Sequence, residues 1–171
     1  MKVSELQRDF LQALQLLLPE WRFVSTHRHF KRSVGPVNWL FHIACVNHPN
    51  DFEAIGNVAV EFLSARKRAM TVGAQLGNIA GIGQTRHLVT SPATATEAAH
   101  ALFAEFTSIG LPFLKTYSNS ATVLSVLQLG GREASLISPL HDHHSGQIAA
   151  LQALGTPPNN SFKPKPLRGS A

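Results

Sequence analysis

Residues Val37–Leu63, VNWLFHIACVNHPNDFEAIGNVAVEFL, decide the fold, because this stretch holds the densest β-forming pattern in the chain. Successive side chains of a strand point to opposite faces. From 37 to 47, Trp39, Phe41, Ile43 and Cys45 therefore share one face and Leu40, His42, Ala44 and Val46 the other. Both sets are largely apolar, which predicts a central strand covered on both sides. From 52 to 63, Phe52, Ala54, Val58, Val60 and Phe62 share a face while Glu53, Asn57 and Glu61 fall opposite, as in a sheet wet on one side. Between them His48-Pro49-Asn50-Asp51 is turn chemistry, since proline presets φ and Asn and Asp bond their own backbone. The stretch reads as a β-hairpin.

Upstream, Trp21–Val34 is rich in β-branched and aromatic residues and reads as a further strand, turned into the hairpin by Gly35-Pro36. Before it, Ser4 and Gln7 form a capping box, and Leu6, Phe10, Ala13 or Leu14, and Leu17 recur at helical spacing until Pro19. That amphipathic helix needs a sheet to lie on. Downstream, Arg66, Lys67 and Arg68 are followed by Gly73, Gly77, Gly81 and Gly83 in a small, apolar segment. A dinucleotide fingerprint fails there because Arg86 stands where the third glycine belongs, and no Gly-Lys-Ser/Thr exists, so residues 64–83 read as a loop or irregular strand. Arg86–Thr90 returns as a fourth strand.

The second half reads as helical. Thr94 and Glu97 form a capping box, Ala95, Ala98, Leu102, Phe106 and Ile109 make the apolar stripe, and Gly110 stands at the C-cap position. Leu111-Pro112-Phe113 reads as an exit from that helix. Ser120 then caps a short helix that Gly130-Gly131 ends, and Asp142 caps a last one with Ile148, Leu151 and Leu154 inward, closing at Gly155. The expected fold is α+β: an antiparallel meander of about four strands with an N-terminal helix and C-terminal helices packed on it, one domain over 1–155. Residues 156–171 hold four prolines, three basic residues and no acid, which predicts a disordered basic tail.

This order of elements, with its Gly110-Leu111-Pro112-Phe113 helix exit, resembles a group of bacterial domains of unknown function over residues 3–155. The resemblance implies an α+β fold and no assigned activity. The ending from Asn159 to Gly169 resembles a tail that recurs on unrelated small bacterial proteins, a translated repeat element, and such a tail says nothing about function.

With 171 residues and 44% hydrophobic content the chain can bury one core. A single cysteine, Cys45, excludes an internal disulfide framework and favours a reducing compartment. No apolar run approaches the roughly 20 residues of a membrane span, so a cytoplasmic protein is expected. Of the net charge of +5, three charges (Lys163, Lys165, Arg168) belong to the tail, leaving +2 on the body. No acid lies between Glu20 and Asp51, where Arg28, Lys31 and Arg32 are the candidate phosphate contacts of a nucleic-acid binder. Without interleaved aromatics a solvated basic strand is the plainer account.

Nine histidines invite a search for a metal site. His141, His143 and His144 are the candidate zinc ligands, although adjacent residues at a helix start seldom aim their rings at one ion. His141-x-His143 is similar to the first ligands of β-lactamase-type metallo-hydrolases. Here His144-Ser145-Gly146 follows with no later histidine, so the orienting carboxylate and remaining ligands are missing. His27 and His29 would lie about 7 Å apart on one strand face. With His42 they could form a three-imidazole site, against the repulsion of Arg28, Lys31 and Arg32. His87 and His100 have no near partners in sequence and read as boundary residues. No Gly-x-Ser-x-Gly elbow exists, and Cys45 is mid-strand. Glu53 and Glu61, roughly 26 Å apart on one strand, are too distant to act as a pair; Glu61 is expected to pair with Arg66–Arg68.

No catalytic residue and no cofactor is therefore assigned. The expected function is a non-enzymatic protein-interaction module, immunity-like or accessory, whose partner is another protein. The alternatives are a zinc-binding protein or metal-dependent hydrolase using His141, His143 and His144, and a weak nucleic-acid binder through Arg28, Lys31 and Arg32.

Overall fold

The strand pattern of residues 37–63 becomes the centre of an antiparallel sheet in a computed structural model that describes residues 2–65 and 67–155. Its strands are β1 (Arg22–Val24), β2 (His29–Val34), β3 (Val37–Asn47), β4 (Phe52–Ser64), β5 (Lys67–Gln75) and β6 (His87–Val89). They run in the order β1-β2-β3-β4-β5, with β6 paired to the start of β4. The helices are α1 (Val3–Leu17), α2 (Leu76–Ile79), α3 (Pro92–Glu105), α4 (Leu111–Tyr117), α5 (Ser120–Leu129), α6 (Gly131–Ile137) and α7 (His144–Gly155). The α+β class is as expected, with six strands among the described residues and not about four. The expected disordered tail lies outside the described residues. Among those residues no helix is long and apolar enough to cross a membrane.

β3 and β4 pair from Val37↔Phe62 to Asn47↔Phe52 around the His48–Asp51 turn, where the His48 amide donates to the Asp51 carbonyl at 2.9 Å. Phe41, Ile43, Phe52, Val58 and Val60 on the inner face are fully buried, each worth about 1.5–3 kcal/mol relative to exposure. The outer face of β3 departs from the expectation. His42 and Val46 are exposed and Leu40 and Ala44 half-buried, because α1, α3 and α4 pack on the other face. The strand is central in order but covered mainly on one side.

Two strands were hidden. Trp21–Val34 is not one strand: a 3-10 turn at Ser25–His27 and a left-handed Arg28 (φ 47°) fold it into a hairpin, pairing Arg22 with Lys31. β5 lies inside the glycine-marked segment, with Met70 and Val72 buried and Thr71, Gly73 and Gln75 alternating outward. Its basic start and small residues mask the period of two. Gly73 is required there, since a Cβ would stand 2.4 Å from the Val58 carbonyl oxygen of β4.

The helix ends also differ. α1 starts at Val3, where the Glu5 carboxylate accepts the Lys2 amide at 2.9 Å, in place of a Ser4–Gln7 box. Ser91, and not Thr94, caps α3. Its hydroxyl accepts the Thr94 amide while the Thr94 hydroxyl accepts the Ser91 amide at 2.8 Å, a box closed by threonine instead of Glu97. Gly110 does not end the helix. Phe106–Gly110 form a π turn, closed by the Leu111 amide on the Phe106 carbonyl, and the chain runs on through Pro112 as α4. A proline inside a helix removes one ladder bond, and the wider turn just before it absorbs the disruption. Gly110 is glycine for packing: a Cβ would meet the Phe106 ring at 2.8 Å and Leu76 and Val58 at 3.0 Å.

Asn119 caps α5 by accepting the Ala121 and Thr122 amides, with Ser120 the first helical residue. Gly130-Gly131 does end that helix but also starts α6. Asp142 lies within a 3-10 turn, His141–His143, and makes no cap.

Phe106 sits mid-stripe as its spacing requires, 1% exposed, stacked on Phe41 at 4.2 Å between centroids and met edge-on by Trp21 at 5.3 Å. Phe106→Ala should cost about 3–5 kcal/mol of unfolding free energy, read from urea denaturation. A near-wild-type midpoint would place the ring outside the core.

Candidate functional site

Strand register sorts the outer face into rows running across the sheet. One row is His29, His42, Asn57 and Gln75; the next is Lys31, Leu40, Ala59 and Gly73; the third is Ser33, Asn38, Glu61 and Thr71. A band of mainly small and apolar residues thus lies between two polar ones. The third row is largely satisfied internally. The Ser33 hydroxyl donates to Asn38 at 2.8 Å, the Asn38 amide to Glu61 at 2.8 Å, and Lys31 Nζ to the same Glu61 oxygen at 3.1 Å. Burial alone would raise the Glu61 pKa; the bonds from Asn38 and Lys31, with the charges of Lys31 and Arg68, outweigh it and hold the carboxyl below its ordinary value. Among the described residues Glu61 is bonded by Lys31 and Asn38, and Arg68 of the expected Arg66–Arg68 group acts on it through its charge, while Arg66 lies outside the described residues.

The candidate phosphate contacts are not brought to one face. Lys31 is engaged by Glu61. Arg32 points to the opposite face of β2 and pairs with Glu20 at 2.9 Å. Arg28 leaves the strand, its carbonyl accepting the Ile43 amide and its guanidinium lying beside Cys45. Burial pushes the Cys45 thiol up, against the opposing pull of Arg28, so the thiol form dominates at neutral pH.

The histidines are brought into pairs. His27, in the 3-10 turn and not on a strand, stacks parallel to His29 at 5.8 Å, and His29 lies opposite His42. His141 and His144 have ring centroids 5.1 Å apart. His144 Nε2 donates to the Ser138 carbonyl at 2.7 Å, which withdraws that nitrogen from any metal, and His141 Nε2 lies 3.3 Å from the Ser135 hydroxyl. His143 turns to a different cavity, shared with Asp142 and Arg68. Among the described residues no three His, Cys, Asp or Glu side chains are grouped to hold a metal ion.

Sequence reasoning missed a second polar tie. Glu105 accepts the Thr85 hydroxyl at 2.6 Å and faces His87 Nε2 at 2.9 Å, so His87 does have a partner. Separated by 18 and 20 residues, these groups leave no local signal. They fasten the glycine-marked loop and β6 to the end of α3.

A groove of about 920 Å³ between the outer face of β4 and β5 and helix α6 has room for a ligand. Ala59 and Gly73 form its floor, and Ile79, Leu136 and Pro139 its apolar wall. Asn57, Gln75, Asn78, Arg132 and Glu133 line it with polar groups. Glu133 is held by the Tyr117 hydroxyl at 2.6 Å; burial, then this bond and the Glu133 charge, raise the Tyr117 pKa, so the phenol stays a donor. Gln147 fixes α7 to the free edge of β5 by donating to the Thr71 carbonyl at 3.1 Å, and itself accepts the Ser138 hydroxyl at 2.8 Å. The groove could not be assembled from sequence because residues 64–83 read as a loop or irregular strand and the residues of α6 belong to no predicted element. Comparison with known protein families, with curated proteins and with solved structures finds no match to this chain.

Thr71 Oγ1 is buried with no partner among the described residues. Thr71→Val should therefore leave the urea midpoint at or above wild type, and a loss beyond about 1 kcal/mol would reveal a bond to that hydroxyl.

Burial and the neighbouring His27 and Lys31 lower the pKa of His29. Burial of part of the ring, with Arg28 and His27, lowers that of His42, which is exposed as a residue so that water screens part of the effect. A depressed folded pKa means the unfolded chain holds more protons, so stability is complete above 6.5 and is lost as pH falls through the folded values. The urea midpoint should fall between about pH 7 and about pH 5, and less steeply in His29→Gln/His42→Gln. Equal slopes in the two proteins would sink this assignment.

Proposed function

We propose that the chain is a protein-interaction module without catalytic chemistry of its own, immunity-like or accessory in role, and that it takes its partner protein in the groove between β4, β5 and α6. One observation carries this reading. Three polar clusters elsewhere consume their own members: Glu61 with Lys31 and Asn38, Glu105 with Thr85 and His87, Glu53 with Arg86 at 2.6 Å. In the groove, Gln75, Asn78 and Arg132 have no side-chain partner among the described residues and stand beside exposed apolar floor and wall. Free hydrogen-bonding groups around apolar surface in a concave site are what recognition uses. The other two readings have less support, because Lys31 and Arg32 are neutralised by carboxylates and His144 is spent on a carbonyl.

Selection of a displayed heptapeptide library tests the proposal. The wild-type protein should enrich a consensus, and Ala59→Phe, which fills the groove floor, should lose at least about tenfold in affinity for it at an unchanged melting temperature. No consensus, or one retained by Ala59→Phe, would overturn the reading.

A further inference from the structure

We infer that the groove recognises an uncharged, extended peptide segment carrying a branched aliphatic side chain, and that it reads this segment through its main-chain amides. The inference rests on the interaction reading above and names its ligand. Three of the polar groups are primary carboxamides, Asn57, Gln75 and Asn78. Each carries a donor and an acceptor side by side, the complement of the C=O and N–H that a peptide unit offers. Asn57 Nδ2 also lies 3.5 Å from His42 Nδ1, which leaves Gln75 and Asn78 as the unengaged pair among the described residues. Asn57 and Gln75 are directly opposed on β4 and β5, and Asn78 follows three residues on in α2, so the amides line one side of the groove.

Charge and shape exclude the main competitors. Arg132 and Glu133 cancel, giving a lining of no net charge that has nothing to attract a polyanion. Among the described residues no aromatic side chain lines the groove, so nucleobases and sugar rings have no face to stack on there. The small floor residues Ala59 and Gly73 let a main chain approach closely, and Ile79, Leu136 and Pro139 offer a branched aliphatic side chain an apolar wall. The β5 edge is already occupied where Gln147 bonds the Thr71 carbonyl. The peptide therefore lies across the sheet face and does not extend the sheet as a seventh strand.

The test uses the full 171-residue chain, uniformly labelled with nitrogen-15. Three pentapeptides are titrated: acetyl-Ser-Ala-Leu-Ala-Ser-amide, the same peptide N-methylated on both sides of leucine, and acetyl-Asp-Ala-Leu-Ala-Asp-amide. The first should shift the amide signals of Gly73, Gln75, Asn78 and Leu136 and saturate. N-methylation should weaken it about tenfold or more, as should Gln75→Ala/Asn78→Ala in the protein, and the acidic peptide should bind no more tightly. Tighter binding of the acidic peptide at the same signals, or indifference to N-methylation, would overturn the inference while leaving the interaction reading standing. Absence of any groove shift with all three peptides would also overturn it, and if the displayed library then yields no consensus the interaction reading falls too.

Discussion

The stack of Phe106 on Phe41 is the contact on which the rest of the molecule depends. The rings lie 4.2 Å apart and 15° from parallel, closer than side chains on a helix and a sheet normally approach. Glycine makes that approach available on both sides. A Cβ at Gly56 would stand 2.7 Å from Leu76 and 2.8 Å from Leu102, and one at Gly110 would strike Phe106 itself. The Leu76 side chain of α2 and the Leu102 side chain of α3 therefore lie directly on the β4 backbone at Gly56. A helix pinned here and still obliged to pass Pro112 needs slack, and the π turn at Phe106–Gly110 supplies it.

The π turn sets the position of every later element. α4 carries Tyr117 and Ser118 to the far end of the sheet, where Trp39 Nε1 donates to the Ser118 hydroxyl at 2.7 Å. Tyr117 then holds Glu133 of α6. α6 and α7 swing round the exposed edge of β5, which would otherwise offer unpaired backbone groups to any passing strand. The Gln147 bond to Thr71 closes one of them. The groove is the gap left where α6 leans over small residues.

The readable parts of this fold were those in which one period held over many residues. The 37–63 hairpin alternates strictly enough on its inner face to fix register, and Phe106 could be placed in the core because its stripe is independent of where the helix begins or ends. β5 was illegible for a physical reason: Gly73 and its small neighbours are there to let strands approach, and small residues carry little hydrophobic signal. Gly110 and Pro112 read as a stop because local chemistry favours that outcome, yet a π turn makes it a continuation. Gly130-Gly131 reads rightly as a stop, but its two positive-φ glycines (φ 68° and 77°) also launch α6. Of the histidines that drew attention by number, His27 with His29 and His141 with His144 sit in local pairs, whereas Gln75, Asn78 and Arg132 had nothing in sequence to set them apart.

The same small residues that hid the groove also create it. A larger residue at 73 would collide with the Val58 carbonyl and push β5 away from β4, and a larger one at 59 would fill the space under Leu136 and Pro139. Gly130 and Gly131, in turn, reverse the chain after α5 within two residues, so that α6 returns over the sheet and does not continue past it. Small residues on the sheet and glycines between the helices are therefore parts of one arrangement. The first set makes the floor low and the second brings a wall over it, leaving a concave surface on a sheet face that would otherwise be flat and open to water.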